Sequence, residues 1–192
     1  MPRSNRILPT DLPMHIMARG NNKLAILTND NDKKEYYYLL HKLKLDNLIN
    51  ILHYCFMDNH IHLIVWLNKN SNLPRFMKQT NLSYYHYYRK EYGYCGHLWQ
   101  SKYKSVIVQT DRQALACGKY IELNPVRAGI VQSPEQYEFS SYKYYAFGQP
   151  DALITPNPAF LGLDANISTS RKIYANFIQA KKPTNEKGDR SL

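Results

Sequence analysis

The chain has 192 residues, of which 44% are hydrophobic, so we expect one globular domain with at most an appendage and exclude a largely disordered chain. No apolar run reaches the roughly 18 residues of a membrane span, and the charged start Met1–Arg6 leads into no apolar segment, so neither a span nor a secretory signal is expected. The net charge of +10 favours a polyanionic partner, with nucleic acid ahead of a membrane surface. The scattered cysteines Cys55, Cys95 and Cys117 argue against a disulfide framework and fit a reducing cytoplasm.

The first half of the chain predicts a strand, a helix and a β-hairpin. Alternating apolar and polar residues predict a strand over Leu12–Arg19. A cluster of Asn and Asp residues precedes a stretch of Tyr and Leu at helical spacing, which predicts a helix over Lys33–Leu45. The segments Ile49–Met57 and His60–Leu67, joined by the turn pair Asp58-Asn59, predict two strands of a hairpin.

The middle of the chain predicts two helices around a short strand. A proline in the first turn and apolar residues at helical spacing predict a long helix over Leu73–Glu91. A strand is predicted at Tyr103–Val108. Asp111 is expected to cap a helix that runs to about Leu123 and stops at Asn124-Pro125, because the residue before a proline is driven out of helical geometry.

The last part of the chain is less regular. Tyr137–Phe147 predicts a short aromatic extended segment. Beyond residue 150 we expect a looser, basic extension over 151–192, partly helical at Ser168–Lys181 and disordered over Lys182–Leu192. Because strands and helices are mixed without strict βαβ alternation, the sequence predicts an α+β fold, an antiparallel sheet with flanking helices in a domain spanning residues 1–150.

The predicted strand His60–Leu67 begins with a histidine pair. Residues two apart on a strand point to the same face, so His60 and His62 project together while Ile61 faces the other way. Two imidazoles on one face can supply two ligands for a divalent metal. The pair alone is a weak indication, because such histidines are often structural and also occur in unrelated metal-hydrolase and cupin sites.

Tyr120 and Asn124 lie four residues apart near the end of a predicted helix, so they share one of its faces. The Asn124 amide oxygen could complete a His, His, Asn metal set while the Tyr120 phenol points at a metal-bound phosphate. A core stripe of Ala116, Tyr120 and Leu123 is the structural alternative.

Such a set suits the cleavage of a phosphodiester. Catalysis of in-line attack on phosphate is mainly positioning plus neutralisation of charge on the non-bridging oxygens, which Mg²⁺ or Mn²⁺ with three protein ligands can provide. Tyrosine is a modest nucleophile that nearby cationic charge can activate. A covalent 5′-phosphotyrosine would conserve the bond energy, so strands could be rejoined without ATP.

Five segments between residues 12 and 147, in order and spacing, resemble the single-tyrosine HUH transposases of the insertion-sequence type, with the REP-associated tyrosine transposases as the closest branch. The segments are ARGNN at 18–22, MDNHIHLI at 57–64, GHLWQSKYKS at 96–105, YIELNPVRAG at 120–129 and SSY at 140–142. The resemblance implies a ferredoxin-like HUH endonuclease core, in which helices flank an antiparallel sheet.

The resemblance also implies roles for particular residues. His60 and His62 would bind the metal, and Tyr120 would become linked to the 5′ end of single-stranded DNA, typically at a hairpin or palindromic element. Insertion-sequence members generally carry Gln four residues after the nucleophile, whereas Asn124 stands here, as in the REP-associated branch. That branch implies a monomer, and insertion-sequence relatives imply a homodimer with shared sites. The rival location for a nucleophile, which lacks the surrounding motif, is the cluster Tyr84, Tyr85, Tyr87 and Tyr88.

Basic and aromatic residues on the long helix and after it predict a surface that tracks a nucleic-acid backbone. Any one of them could instead lie on a solvated face, and the last could cap a helix C-terminus. The predicted DNA contacts are Arg75, Lys78, Arg89, Lys90, Trp99, Lys102, Tyr103, Lys104 and Arg127.

The sequence thus favours a transposase-like DNA endonuclease and strand transferase. One alternative is a domesticated descendant that binds DNA hairpins but no longer cuts them. Another is a metal hydrolase of small molecules, which would account for neither the positive charge nor Tyr120.

Overall fold

A four-stranded sheet forms the centre of the protein, which a computed structural model describes over residues 8–180. The strands are β1 (Met14–Arg19), β2 (Ile49–Met57), β3 (His60–Leu67) and β4 (Lys104–Ile107). Their order is β2-β3-β1-β4, and every neighbouring pair is antiparallel. The predicted α+β class is confirmed, and the hairpin of β2 and β3 has the predicted bounds.

Two helices cover one face of the sheet. They are α1 (Asp30–Asp46) and α2 (Leu73–Tyr92). Tyr36 of α1 is fully buried, and its ring centroid lies 5.5 Å from that of Phe56 on β2 and 5.2 Å from that of Tyr84 on α2. Aromatic pairs at such separations stabilise a fold beyond the effect of the area that each ring buries, so this cluster joins both helices to the sheet.

Helix α3 (Asp111–Glu122) lies on the opposite face, and a four-residue helix α4 (Asn124–Arg127) follows it. The predicted cap Asp111 is wrong, because the Thr110 side chain accepts the hydrogen bond from the Gln113 backbone N–H. Asp111 instead occupies the first turn, where its negative charge favours the positive end of the helix dipole.

The prediction of an extended segment over residues 137–147 is wrong in its second half. The Phe56 backbone N–H donates to the Phe139 carbonyl and Cys55 forms an isolated antiparallel bridge with Ser140, so this part of the segment pairs with β2 at one point. From Tyr142 the chain forms helix α5 (Tyr142–Phe147). Tyr142 and Tyr145, three residues apart, are both fully buried on its inner face. In so short a segment, the spacing of apolar residues does not distinguish a helix from a strand.

The looser packing expected after residue 150 is wrong for residues 151–180. This stretch forms helices α6 (Pro158–Leu161) and α7 (Ile167–Gln179), which begins one residue before the predicted helix. Leu153, Phe160 and Tyr174 are buried in the same hydrophobic core as the sheet. The disorder predicted for Lys182–Leu192 lies outside the described residues, as does the chain start. Between residues 8 and 180, none of the helices is long and apolar enough to cross a membrane.

Candidate metal and tyrosine site

The two histidines of β3 meet a third histidine from β1 on one face of the sheet. Arg19 pairs with His60 and Met17 with His62 in the register of β1 and β3, which places His15 on the same face. The ring centroids of His60 and His62 are 4.8 Å apart, and those of His15 and His62 are 5.0 Å apart. Two-residue spacing therefore brings the predicted pair together, as expected, and adds His15, which the sequence analysis placed only in a strand.

The hydrogen bonds of His60 and His62 leave the same ring nitrogen of each available. The Asn59 amide oxygen lies 2.6 Å from Nδ1 of His60, and because that oxygen only accepts, Nδ1 carries the proton and donates. Nδ1 of His62 lies 2.9 Å from Nε2 of His15. With that proton also on the His62 side, each histidine keeps the Nε2 lone pair as a metal donor.

Burial keeps all three imidazoles neutral. It lowers the pKa of His60 to about 4, with a further lowering from the Arg19 charge that Asp58 partly opposes. Burial also lowers the pKa of His62 to about 2, and repulsion from His15 and His60 adds to the effect. The pKa of His15 is lowered by burial alone. Since only the neutral imidazole can bind a cation, this environment fits a metal ligand pair at neutral pH.

The set of metal donors is incomplete with histidines alone. Within residues 8–180 no group of three or more His, Cys, Asp or Glu side chains is arranged to hold a metal. Two neutral imidazoles would therefore need oxygen ligands from an amide, water or a phosphate. The residues present fit a divalent cation on that condition.

Helix α3 carries Tyr120 over the histidines. The Tyr120 ring centroid lies 5.9 Å from that of His62 and 6.4 Å from that of His15, both edge to face. Tyr120 is 46% exposed, so a substrate can reach this residue. The alternative of a buried core stripe therefore does not describe Tyr120.

A glycine lets α3 approach the sheet this closely. A Cβ atom on Gly118 would lie 2.8 Å from Cε1 of His53 on β2, which is closer than side chains tolerate. A glycine within a predicted helix indicates close packing, but the sequence does not show which residue packs against it. Gly118 thus positions Tyr120, two residues further along the same helix.

Asn124 stands at the start of α4, partly buried, and its amide nitrogen donates to the Ile121 carbonyl at 3.3 Å. That bond uses the nitrogen only, so the amide oxygen remains a candidate ligand. Its role in metal binding stays a prediction.

Arg127 packs against Tyr120 from the following helix. Its guanidinium carbon lies 4.7 Å from the Tyr120 ring centroid, and its Nη1 donates to the Tyr120 carbonyl at 3.0 Å. Arg127 therefore caps a carbonyl in the last turn of α3 and also lies beside the candidate site. The exposed cation can attract a phosphate to this tyrosine.

The rival tyrosine cluster on α2 lies on the other face of the sheet. Tyr84 is fully buried and donates to the Ile26 carbonyl at 2.5 Å. Tyr87 donates to the Asp32 carboxylate at 3.0 Å, and Tyr88 contacts the Ala25 carbonyl. The Tyr84 and Tyr88 hydroxyls thus bind α2 to the loop before α1, and the Tyr87 hydroxyl binds it to α1 itself, whereas the Tyr120 ring contacts the histidines.

The predicted DNA contacts divide by exposure. Trp99 is partly buried, with its indole N–H donating to the Asn81 carbonyl at 3.0 Å, and Tyr103 is buried. Their contact with DNA stays a prediction. The exposed members are Arg75, Lys78, Arg89, Lys90, Lys102, Lys104 and Arg127.

A buried polar network, absent from the sequence analysis, anchors the tyrosine helix. The fully buried Glu122 carboxylate accepts from the Ser141 hydroxyl at 2.6 Å and the Tyr174 hydroxyl at 2.8 Å. His53 Nδ1 lies 3.0 Å from the same carboxylate, and the Asn157 amide donates to His53 Nε2 at 2.9 Å. Buried networks in which each group has a partner are rigid, so residues 151–180 help to hold Tyr120 in place.

Comparison with one solved structure supports the fold. A REP-associated tyrosine transposase bound to a REP hairpin matches with a TM-score of 0.65 and 16% identity, over 82% of this chain and 93% of that chain. A putative transposase from Deinococcus radiodurans matches with a TM-score of 0.44 and 17% identity, over 62% of this chain and 95% of that chain. No curated protein matches.

The family comparison covers the strands, the histidines and Tyr120. A family model described as IS200-like transposase matches residues 9–124, more than half of the chain. That range begins before β1 and ends at Asn124, so it includes the whole sheet and helix α3. The chain belongs to the family of IS200-like transposases.

Proposed function

We propose that the protein cuts and rejoins single-stranded, hairpin-forming DNA through a 5′-phosphotyrosine at Tyr120, with Mg²⁺ or Mn²⁺ held by His60, His62 and Asn124. The observation that carries this proposal is the exposed Tyr120 ring 5.9 Å from His62, beside two histidines that each form their hydrogen bond through Nδ1. The structural relative bound to a REP hairpin supports DNA of that shape as substrate.

The residues divide the chemistry among them. The Tyr120 hydroxyl would lose its proton to water as its oxygen attacks phosphorus and forms the new P–O bond, while the P–O3′ bond breaks and the departing 3′ oxygen takes up a proton from water. The bound cation would supply charge neutralisation at the non-bridging oxygens. Arg127 would hold the phosphate against the phenol. Rejoining reverses these steps and regenerates the free hydroxyl.

Mapping the covalent adduct tests the proposal. The protein would be incubated with Mn²⁺ and a single-stranded oligonucleotide that folds into a hairpin, and the DNA-linked peptide would be sequenced by mass spectrometry after nuclease and protease digestion. We expect the phosphotyrosine on Tyr120. A linkage on Tyr84 or its neighbours would contradict the assignment. Hairpin binding without adduct on any sequence tested would instead support a protein that only binds DNA.

His15 is expected to orient His62 for metal binding. Replacing it with Phe keeps a ring of similar size but removes the acceptor 2.9 Å from His62 Nδ1. Loss of such a partner typically weakens metal binding by about 10- to 100-fold. Isothermal titration with Mn²⁺ would measure the change, and His97→Phe, at an exposed histidine away from the site, is the control. Equal affinities of both variants and the wild type would exclude this role.

A further inference from the structure

A groove lies between α2 and the segment that leads into β4. It has a volume of about 770 Å³. Its walls include apolar and aromatic side chains with two lysines at the rim, and no acidic residue is among the described residues that line it. The side chains that line it include Met77, Lys78, Leu82, Tyr85, Trp99 and Lys102.

The side chains of the groove leave apolar surface facing outwards. Leu82 is 49% exposed, and Tyr85 and Trp99 are partly buried. Because the Trp99 indole N–H already donates to the Asn81 carbonyl, the ring can contact a ligand through its apolar and π surface. Flat π surface beside an aliphatic floor suits a stacked base, which every nucleotide can supply regardless of sequence.

The charges of the groove select an anionic occupant. Lys78 and Lys102 are exposed on opposite walls, one on α2 and one in the strand-leading segment. The lysines of the groove complement the anionic phosphate of a nucleotide, and its apolar surface complements the apolar faces of the base. The net charge of +10 on the chain favours the same anionic ligand.

The groove lies beside strand β4, at the edge of the sheet whose other strands carry the histidines. The Gln100 backbone N–H donates to the carbonyl of Arg19, the residue paired with His60. Lys104 pairs with Met17 and so projects, exposed, on the histidine face, with strand β1 between it and the strand of the metal ligands. A DNA strand could therefore pass from the histidine face over the β4 edge and into the groove.

We infer that this groove binds unpaired nucleotides adjoining the DNA segment at the tyrosine site, with bases against Trp99, Tyr85 and Leu82 and phosphates on Lys78 and Lys102. The inference rests on the proposed function, since it assumes a DNA substrate, but it assigns a second site remote from Tyr120.

Binding measured without metal tests the groove separately from cleavage. Tyr120→Phe protein would be titrated, by fluorescence anisotropy, into a blunt DNA hairpin and into the same hairpin with an unpaired tail. We expect tighter binding of the tailed hairpin than of the blunt one. Leu82→Glu should lower the affinity for the tailed hairpin by about tenfold, because one stacked base contributes about that factor. Leu45→Glu, at a leucine of α1 that is 70% exposed and outside the groove, is the matched control.

Two further measurements locate the contact. Lys78→Gln and Lys102→Gln are each expected to reduce the slope of log affinity against log salt by about 0.7 on single-stranded DNA. Photocrosslinking of a tail that contains 5-iodouracil should label peptides that contain Trp99 or Tyr85.

Three outcomes would overturn the inference: equal affinities of Leu82→Glu and Leu45→Glu, crosslinks confined to other surfaces, or a change of oligomeric state by Leu82→Glu with unchanged DNA affinity. The last would assign the groove to a second copy of the chain. Tail-dependent binding by wild-type protein that forms no Tyr120 adduct with Mn²⁺ on any DNA tested would refute the cleavage mechanism and leave the groove standing.

Discussion

Tyr120→Phe is expected to abolish the covalent DNA adduct and to lower strand cleavage by at least about 1,000-fold, because the variant lacks the only atom that forms the new bond to phosphorus. The ring remains, so its edge contacts with His15 and His62 and its contact with the Arg127 guanidinium should persist. Gel mobility of a 5′-labelled adduct and the rate of product release would measure the loss.

Two controls separate chemistry from folding in that experiment. Tyr38→Phe removes one hydroxyl from a tyrosine that is 54% exposed on α1, and it should react like the wild type. Mn²⁺ affinity of Tyr120→Phe should also match the wild type, since neither histidine changes. Cleavage by Tyr120→Phe at the wild-type rate would show that another group, such as water, attacks the phosphate.

Glu122→Ala is expected to lower the free energy of unfolding by about 3–5 kcal/mol, the usual range when one partner of a buried ionic network is removed. The substitution leaves His53, Ser141 and Tyr174 facing a cavity without their shared acceptor. For a chain of this size, the melting temperature should fall by roughly 10 °C. Thermal and denaturant unfolding, followed by circular dichroism, would measure both quantities.

The matched control for this substitution is Glu138→Ala. Glu138 is exposed and forms an ion pair with Lys143 at 3.1 Å, so its removal should change the free energy of unfolding by no more than about 0.5 kcal/mol. Equal stability of Glu122→Ala and Glu138→Ala would mean that the network contributes nothing net to folding. Tyr174→Phe, which removes one hydrogen bond to the carboxylate, should lie between the two variants.

Local patterns determined the parts of this protein that depend on neighbours in the chain. Two apolar segments joined by the Asp58-Asn59 turn predicted the hairpin with its observed bounds, and the two-residue repeat of a strand placed His60 and His62 on one face. An expected cap at Asp111 and the stop at Asn124-Pro125 predicted the helix that carries Tyr120, although Thr110 proved to be the cap. The pattern failed at residues 142–147, because six aromatic-rich residues fit a short helix as well as a strand.

Only the tertiary structure decided which distant groups meet. His15 and His62 are 47 positions apart and bond across two strands, and Glu122 and Tyr174 are 52 positions apart. Neither pair has a sequence signal, since strand register and helix packing set those distances after the chain folds. The sequence by itself therefore determined the histidine pair and the tyrosine helix. The structure decided how closely Gly118 lets that helix approach the sheet and which buried groups hold Tyr120 there.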